Sequence, residues 1–219
     1  MTKSSFLAVL ALTSLALGGV GHAQTGQPEK SLNAQLIEFA KQGDEARARK
    51  VLEAGAVPDS RNRQGETALF MFSRRGSLPA VVMLLERGAD PNLANLEKST
   101  PLMAAADAGH AQIVRVLLDS GADPARVDQI NKTALLYAAA GGHVEAMDLL
   151  LDRGIDVNAR YRHDLTALMW AAGYGKVAAV KRLLERGGDA SLRDDRGKTA
   201  ADIARDNRHA EVAELLTRL

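Results

Sequence analysis

The sequence predicts an all-α protein, a solenoid of about six helix-turn-helix repeats that are joined by hairpin-like fingers. Two observations lead to this fold class. Only 4% of the 219 residues are aromatic, whereas alanine and leucine are abundant, and this composition favours helices over sheets. A threonine also returns every 33 residues without insertion or deletion, at Thr67, Thr100, Thr133, Thr166 and Thr199. Such a fixed period is typical of repeats that stack on one another.

Each repeat begins with a short helix that follows the threonine. The threonine hydroxyl can accept a hydrogen bond from a backbone amide of the first turn, and Pro101 suits that turn because no amide hydrogen bond is needed there. About two turns later a glycine recurs that can adopt a positive φ and end the helix. These glycines are Gly43, Gly76, Gly109, Gly142 and Gly175.

A second helix follows, and its apolar residues form a stripe. In the third repeat Ile113, Val114 and Leu117 recur at spacings of three and four, so we expect the next repeat to cover them. A second glycine, such as Gly121, ends this helix before a polar finger leads to the next threonine. One aspartate recurs at 33-residue spacing in four of the fingers, and we expect it to cap backbone amides rather than to act in catalysis. These aspartates are Asp90, Asp123, Asp156 and Asp189.

The repeated segments resemble a known motif. STPLMAAADAGH from Ser99 and KTALLYAAAGGH from Lys132 are similar to the degenerate TPLHxA motif of the ankyrin repeat family. The resemblance covers residues 31–219 and implies a curved solenoid whose fingers and inner helices form a concave binding face. It divides the chain into repeats 31–64, 65–98, 99–131, 132–164, 165–197 and 198–219. The last copy carries the polar run Arg205 to Arg208, which resembles a C-terminal cap with a polar outer face.

The first residues indicate export, with a cleavable signal peptide at 1–23 and a flexible tether at 24–30. Lys3 gives a positive start, an apolar stretch runs from Phe6 to Leu17, and small residues lead to Ala23. The stretch is short for a membrane span of about 20 residues, and an uncleaved anchor is the alternative. We therefore expect a periplasmic or secreted protein of bacterial type, without a membrane span after cleavage.

Charge and composition argue against several functions. Without Lys3, the 28 basic residues fall to 27 and equal the 27 acidic ones, so an extended cationic surface for nucleic acid is not expected. The chain has no cysteine, which excludes disulfides and thiolate metal sites. His110, His143 and His209 share one position of three repeats, so we expect them to pin turns. We expect no enzymatic activity, metal or cofactor.

A candidate binding site follows from the aromatic residues, because every tyrosine and the single tryptophan lie between positions 137 and 174. One interpretation is that Tyr137 and Trp170, at equivalent positions of adjacent repeats, only pack. The other is a protein interface, since tyrosine, tryptophan and arginine together are typical of hot spots. The predicted partner-binding residues are Tyr137, Tyr161, Arg162, His163, Trp170 and Tyr174.

A second, basic patch is also a candidate for orienting an acidic partner, and an ordinary solvated surface is the alternative. It consists of Arg61, Arg63, Arg74 and Arg75.

The expected function is therefore an exported, monomeric scaffold for an unidentified protein partner, for example one that holds or protects an exported enzyme. Two alternatives remain open, namely a structural or self-assembling component of the cell envelope and a secreted effector that binds a host protein.

Overall fold

The computed structural model describes residues 31–218, so the predicted signal peptide and tether lie outside the described residues. This part of the chain contains twelve α-helices and no strand, which confirms the all-α class. The helices form six consecutive pairs. They are α1 (Leu32–Gln42) and α2 (Glu45–Glu53), α3 (Ala68–Arg75) and α4 (Leu78–Glu86), α5 (Pro101–Asp107) and α6 (Ala111–Asp119), α7 (Ala134–Gly141) and α8 (Val144–Leu151), α9 (Ala167–Gly173) and α10 (Val177–Glu185), and α11 (Ala200–Asp206) and α12 (Ala210–Thr217).

The pairs stack into two layers. The first helix of each pair packs against the first helix of the next pair, and the second helices do the same in a parallel outer row. Each repeat therefore buries its neighbour's apolar stripe, and Ile113, Val114 and Leu117 are at most 1% exposed. Among residues 31–218 we find no helix with the length and hydropathy of a membrane span.

The predicted helix boundaries are largely confirmed. Thr67, Thr100, Thr166 and Thr199 each accept a hydrogen bond from the amide three residues later. Thr133 is the exception, because its hydroxyl is buried without a hydrogen-bond partner. The five glycines that end the first helices all have positive φ, between 66° and 83°.

The three histidines pin the repeats together, as expected. Nε2 of His110, His143 and His209 lies 3.0 to 3.3 Å from a carbonyl oxygen near the end of the preceding inner helix. The glycine before each turn makes room for the ring, and a Cβ on Gly109 would lie 2.5 Å from Nδ1 of His143. Lys176 has this position in the fifth repeat, and no such bond is present there.

Five fingers join the repeats, and we number them by residue: finger 1 (54–66), finger 2 (87–99), finger 3 (120–132), finger 4 (153–165) and finger 5 (186–198). In four of them an asparagine or aspartate side chain closes the finger by accepting two backbone amides. These residues are Asn62, Asn95, Asp128 and Asp194. The capping of finger amides by Asp90, Asp123, Asp156 and Asp189 is confirmed as well.

Finger 4 departs from this pattern. Tyr161 occupies the position of the closing asparagine or aspartate, and a 3₁₀ turn at Arg162–Asp164 follows, with positive φ at His163 and Asp164. Backbone and side-chain hydrogen bonds join fingers 1 and 2, 2 and 3, and 4 and 5. In the described chain no hydrogen bond joins fingers 3 and 4. At this junction Arg153, the first residue of finger 4, pairs with Asp119 at the end of α6.

Candidate functional site

The most distinctive side chains on the inner helices are Trp170 and Tyr174. They lie one turn apart at the end of α9, so their rings stack with centroids 5.9 Å apart and planes 13° from parallel. Trp170 is half-buried, whereas Tyr174 is 53% exposed. No other described repeat has an aromatic residue at the position of Tyr174, so the packing of the solenoid does not require one.

A groove of about 380 Å³ runs beside this pair. Its wall includes Arg196, Ile203 and Asn207, which the distribution of aromatic residues in the sequence does not predict. Ile203 and Asn207 are the equivalents of Trp170 and Tyr174 in the next repeat, so stacking alone places them alongside. The 33-residue period therefore contained the signal that would have found them.

Tyr137 and Trp170 are connected by a lysine that the sequence did not suggest. The Lys132 ammonium lies 4.1 Å from the centroid of the Trp170 ring and 5.1 Å from that of Tyr137. The Tyr137 hydroxyl donates a 2.6 Å hydrogen bond to Asp128. Burial and this neighbouring carboxylate raise the pKa of Tyr137 far above its ordinary value. Its hydroxyl is thus committed to finger 3, as the packing interpretation holds.

The three candidates on finger 4 have different surroundings. Tyr161 is half-buried and packs against the core. Arg162 is exposed and forms no ion pair within residues 31–218. His163 is not simply solvated, because its Nδ1 lies 2.7 Å from a carboxylate oxygen of Asp195 on finger 5. Only Arg162 among the three is therefore free to contact a partner without giving up an internal contact.

The basic patch is partly neutralised within the protein. Arg63, Arg74 and Arg75 line a second groove of about 670 Å³, whereas Arg61 does not. Arg74 lies 3.0 Å from Glu66 and over the ring of Phe70, and Arg75 donates to the carbonyl of Lys41. These internal contacts account for the positions of Arg74 and Arg75, so a binding partner is not needed to explain them.

The carboxylates of the described chain serve structural purposes. No group of three or more histidine, aspartate or glutamate side chains in residues 31–218 is arranged to hold a metal ion. Asp194 is 5% exposed, and although burial opposes its ionisation, hydrogen bonds from Lys198 and Arg196 keep its pKa below the ordinary value. Asp128 has the matching place in finger 3, where it accepts two amides and the Tyr137 hydroxyl.

The stacked helix pairs and their fingers define a helical-repeat solenoid. The chain matches a family model described as ankyrin repeats (3 copies) over residues 36–128 and 76–161, and one described as ankyrin repeats (many copies) over residues 150–204. The protein therefore belongs to the ankyrin repeat family, whose repeats are a protein–protein interaction module. No curated protein matches the sequence.

Proposed function

We propose that this protein is an exported, non-catalytic scaffold that binds a protein partner on the concave side of its fourth to sixth repeats. The observation that carries the proposal is the stacked pair of Trp170 and Tyr174 beside an open groove. Half of the Tyr174 side chain faces solvent although no repeat packing needs an aromatic residue there. A large exposed aromatic side chain that is not needed for the fold is typical of an interface anchor.

The geometry of this pair also favours binding. Because the two rings already stack, a partner that covers them does not have to immobilise a flexible side chain. Arg162 on finger 4 adds a cation that forms no ion pair within residues 31–218. Arginine beside tyrosine and tryptophan is the composition enriched at the centre of protein interfaces.

Affinity capture tests this function. The chain from Gln24 onward would serve as bait for the envelope and secreted fractions of the producing cell, with Tyr174→Ala as the variant. Arg115→Ala is the matched control, because Arg115 is exposed on the outer helix α6. We expect a partner that is retained by the control and lost from Tyr174→Ala. Equal capture by both variants would refute the proposed face, and capture of the chain itself would favour self-assembly.

The export part of the proposal has its own test. The positive start, apolar stretch and small-residue exit in residues 1–23 support cleavage by a signal peptidase. We expect the protein in the soluble periplasmic or secreted fraction, with Gln24 at its N-terminus by mass spectrometry. Recovery of the chain with Met1 intact in the membrane pellet would contradict this part and leave the binding face untouched.

A further inference from the structure

The solenoid forms the same ion pair at two places. One residue is at the end of a finger, and the other lies eight positions later on the following inner helix. Glu66 pairs in this way with Arg74 at 3.0 Å, and Lys198 pairs with Asp206. The two instances have opposite charge order, so the fold fixes the geometry of the pair and not the sign of each member.

Lys132 has the first position of such a pair, but the residue at the second position is not charged. It has the position of Glu66 and Lys198, but Ala140 stands where the counter-charge would be. Asp128 of the same finger is already engaged, because its oxygens accept two backbone amides and the Tyr137 hydroxyl. Within residues 31–218 the Lys132 ammonium therefore has no carboxylate at ion-pair distance.

The Lys132 ammonium is held in place. Trp170 and Tyr137 keep it at 4.1 and 5.1 Å from their ring centroids, and contact with a ring face leaves the N–H donors of an ammonium able to bind an anion. The neighbours of the missing counter-charge are small on one side, since Ala140 is followed by Gly141 and its equivalent on α9 is Gly173, whereas its equivalent on α5 is the exposed Asp107. The side toward α9, where Trp170 lies, is therefore where a partner's carboxylate would replace the absent one.

Trp170 links this ammonium to the groove, because the same ring contacts Lys132 and lines the groove. We propose that Lys132 binds a carboxylate of an extended, acidic segment of the partner protein, and that a neighbouring apolar side chain of this segment lies in the groove against Trp170 and Tyr174. This proposal rests on the proposed function and specifies its partner. A cationic segment is disfavoured at Tyr137 and Trp170 because Lys132 already lies over a face of each of these rings.

Trp170 provides a direct readout, since it is the only tryptophan of the chain. The probes are three tetrapeptides with acetylated and amidated ends, Ser-Asp-Leu-Ser, Ser-Asn-Leu-Ser and Ser-Lys-Leu-Ser, titrated at millimolar concentration. Fluorescence and the indole N–H resonance of Trp170 report binding to the chain from Gln24 onward. We expect the aspartate peptide to bind about tenfold more tightly than the asparagine peptide, and the lysine peptide to bind most weakly.

Three variants separate carboxylate binding by Lys132 from general effects of substitution. Lys132→Met should abolish the preference for the aspartate peptide, and Lys132→Arg should retain it. Ala140→Asp supplies the missing counter-charge within the protein, so it should also abolish the preference while the melting temperature stays equal or rises. Lys181→Met is the matched control, because Lys181 is exposed on the outer helix α10, and it should bind as the unchanged protein does.

Three results would overturn the proposal that Lys132 anchors a carboxylate of the partner. They are equal binding of the aspartate and asparagine peptides, an undiminished preference in Ala140→Asp, and no response of Trp170 to the aspartate peptide. If the peptides bind equally, the concave binding face stands and only the anchor is wrong. If Tyr174→Ala leaves partner capture unchanged while the peptides discriminate, Lys132 binds carboxylates but the proposed partner face is wrong.

Discussion

The junction between fingers 3 and 4 offers a direct test of how these repeats are held together. At the equivalent junctions, Asn92 and Asn158 each accept an amide of the next finger at 2.8 Å and donate to one of its carbonyls at 2.9 or 3.0 Å. Ala125 occupies this position in finger 3 and makes neither bond. We predict that Ala125→Asn restores the link by bonding to the amide of Asp156.

The magnitude follows from the two bonds gained. Each contributes about 0.5 to 1.5 kcal/mol net, and the ordering of the exposed side chain offsets part of this. The free energy of unfolding should therefore rise by about 1 kcal/mol, which corresponds to a melting temperature about 2 to 4 °C higher for a chain of this size. Because each repeat contacts only its neighbours, the gain in stability should be confined to this junction.

Two measurements check the prediction. Urea unfolding followed by circular dichroism gives the stability, and hydrogen exchange gives the protection of the Asp156 amide. Arg126→Asn is the control, because it adds the same side chain at the next exposed position, outside the link. If Ala125→Asn raises neither the stability nor the Asp156 protection above the control, fingers 3 and 4 are too far apart for the link and the reasoning is refuted.

Three further predictions concern single residues. Ser73 is fully buried and its hydroxyl has no partner, whereas the adjacent repeats have alanine there, so Ser73→Ala should stabilise the protein by about 1 kcal/mol in chemical unfolding. Gly109→Ala should destabilise it by about 2 kcal/mol, since a Cβ at this positive φ meets the ring of His143, and adding His143→Ala should recover part of the loss. Hydrogen bonds from Thr199 lower the pKa of Asp202 below its ordinary 3.8, so its stabilisation is complete above that value and is lost as the pH falls through the lower, folded-state pKa. Asp202→Asn should remove this part of the pH dependence in acid titrations, and an unchanged acid profile would contradict the assignment.

Periodic features of the fold could be predicted from the sequence because each repeat uses the same residue at the same offset. The threonine caps, the helix-ending glycines, the pinning histidines and the finger aspartates all follow this rule, and the structure confirms nearly all of them. Thr133 is the exception, because its hydroxyl makes no cap hydrogen bond although it has the same position in its repeat. Its backbone angles (φ −98°, ψ 170°) match those of Thr166 (φ −96°, ψ 168°), which does cap its helix, so the repeat pattern and the local backbone both leave this missing cap unexplained.

The site was only partly predictable for a related reason. The proximity of Trp170 and Tyr174 follows from their spacing of one turn on the same helix, which the sequence shows directly. The position of Lys132 between two rings depends on a side-chain conformation and on two repeats at once. The pairing of His163 with Asp195 likewise joins two fingers. Contacts between repeats that do not recur have no signal in a single sequence.

The loss of regular links and the candidate site coincide at one junction. Between fingers 3 and 4 the finger bonds are missing, and Lys176 stands where a histidine would pin α9 to the end of α7. Lys132, at the end of finger 3, reaches across to Trp170 on α9, the helix that follows finger 4. A partner bound to Lys132 and Trp170 would therefore contact the ends of both fingers and hold together a junction that lacks finger hydrogen bonds. We expect binding to slow hydrogen exchange at the amide of Arg162, which has no hydrogen bond within residues 31–218, although the equivalent amides of fingers 2, 3 and 5 each donate to the preceding finger. The aspartate peptide and the captured partner can both be used for this measurement, with Ala140→Asp as the control that should not respond to the peptide. Unchanged exchange at Arg162 in the presence of saturating partner would show that binding leaves the junction as it is.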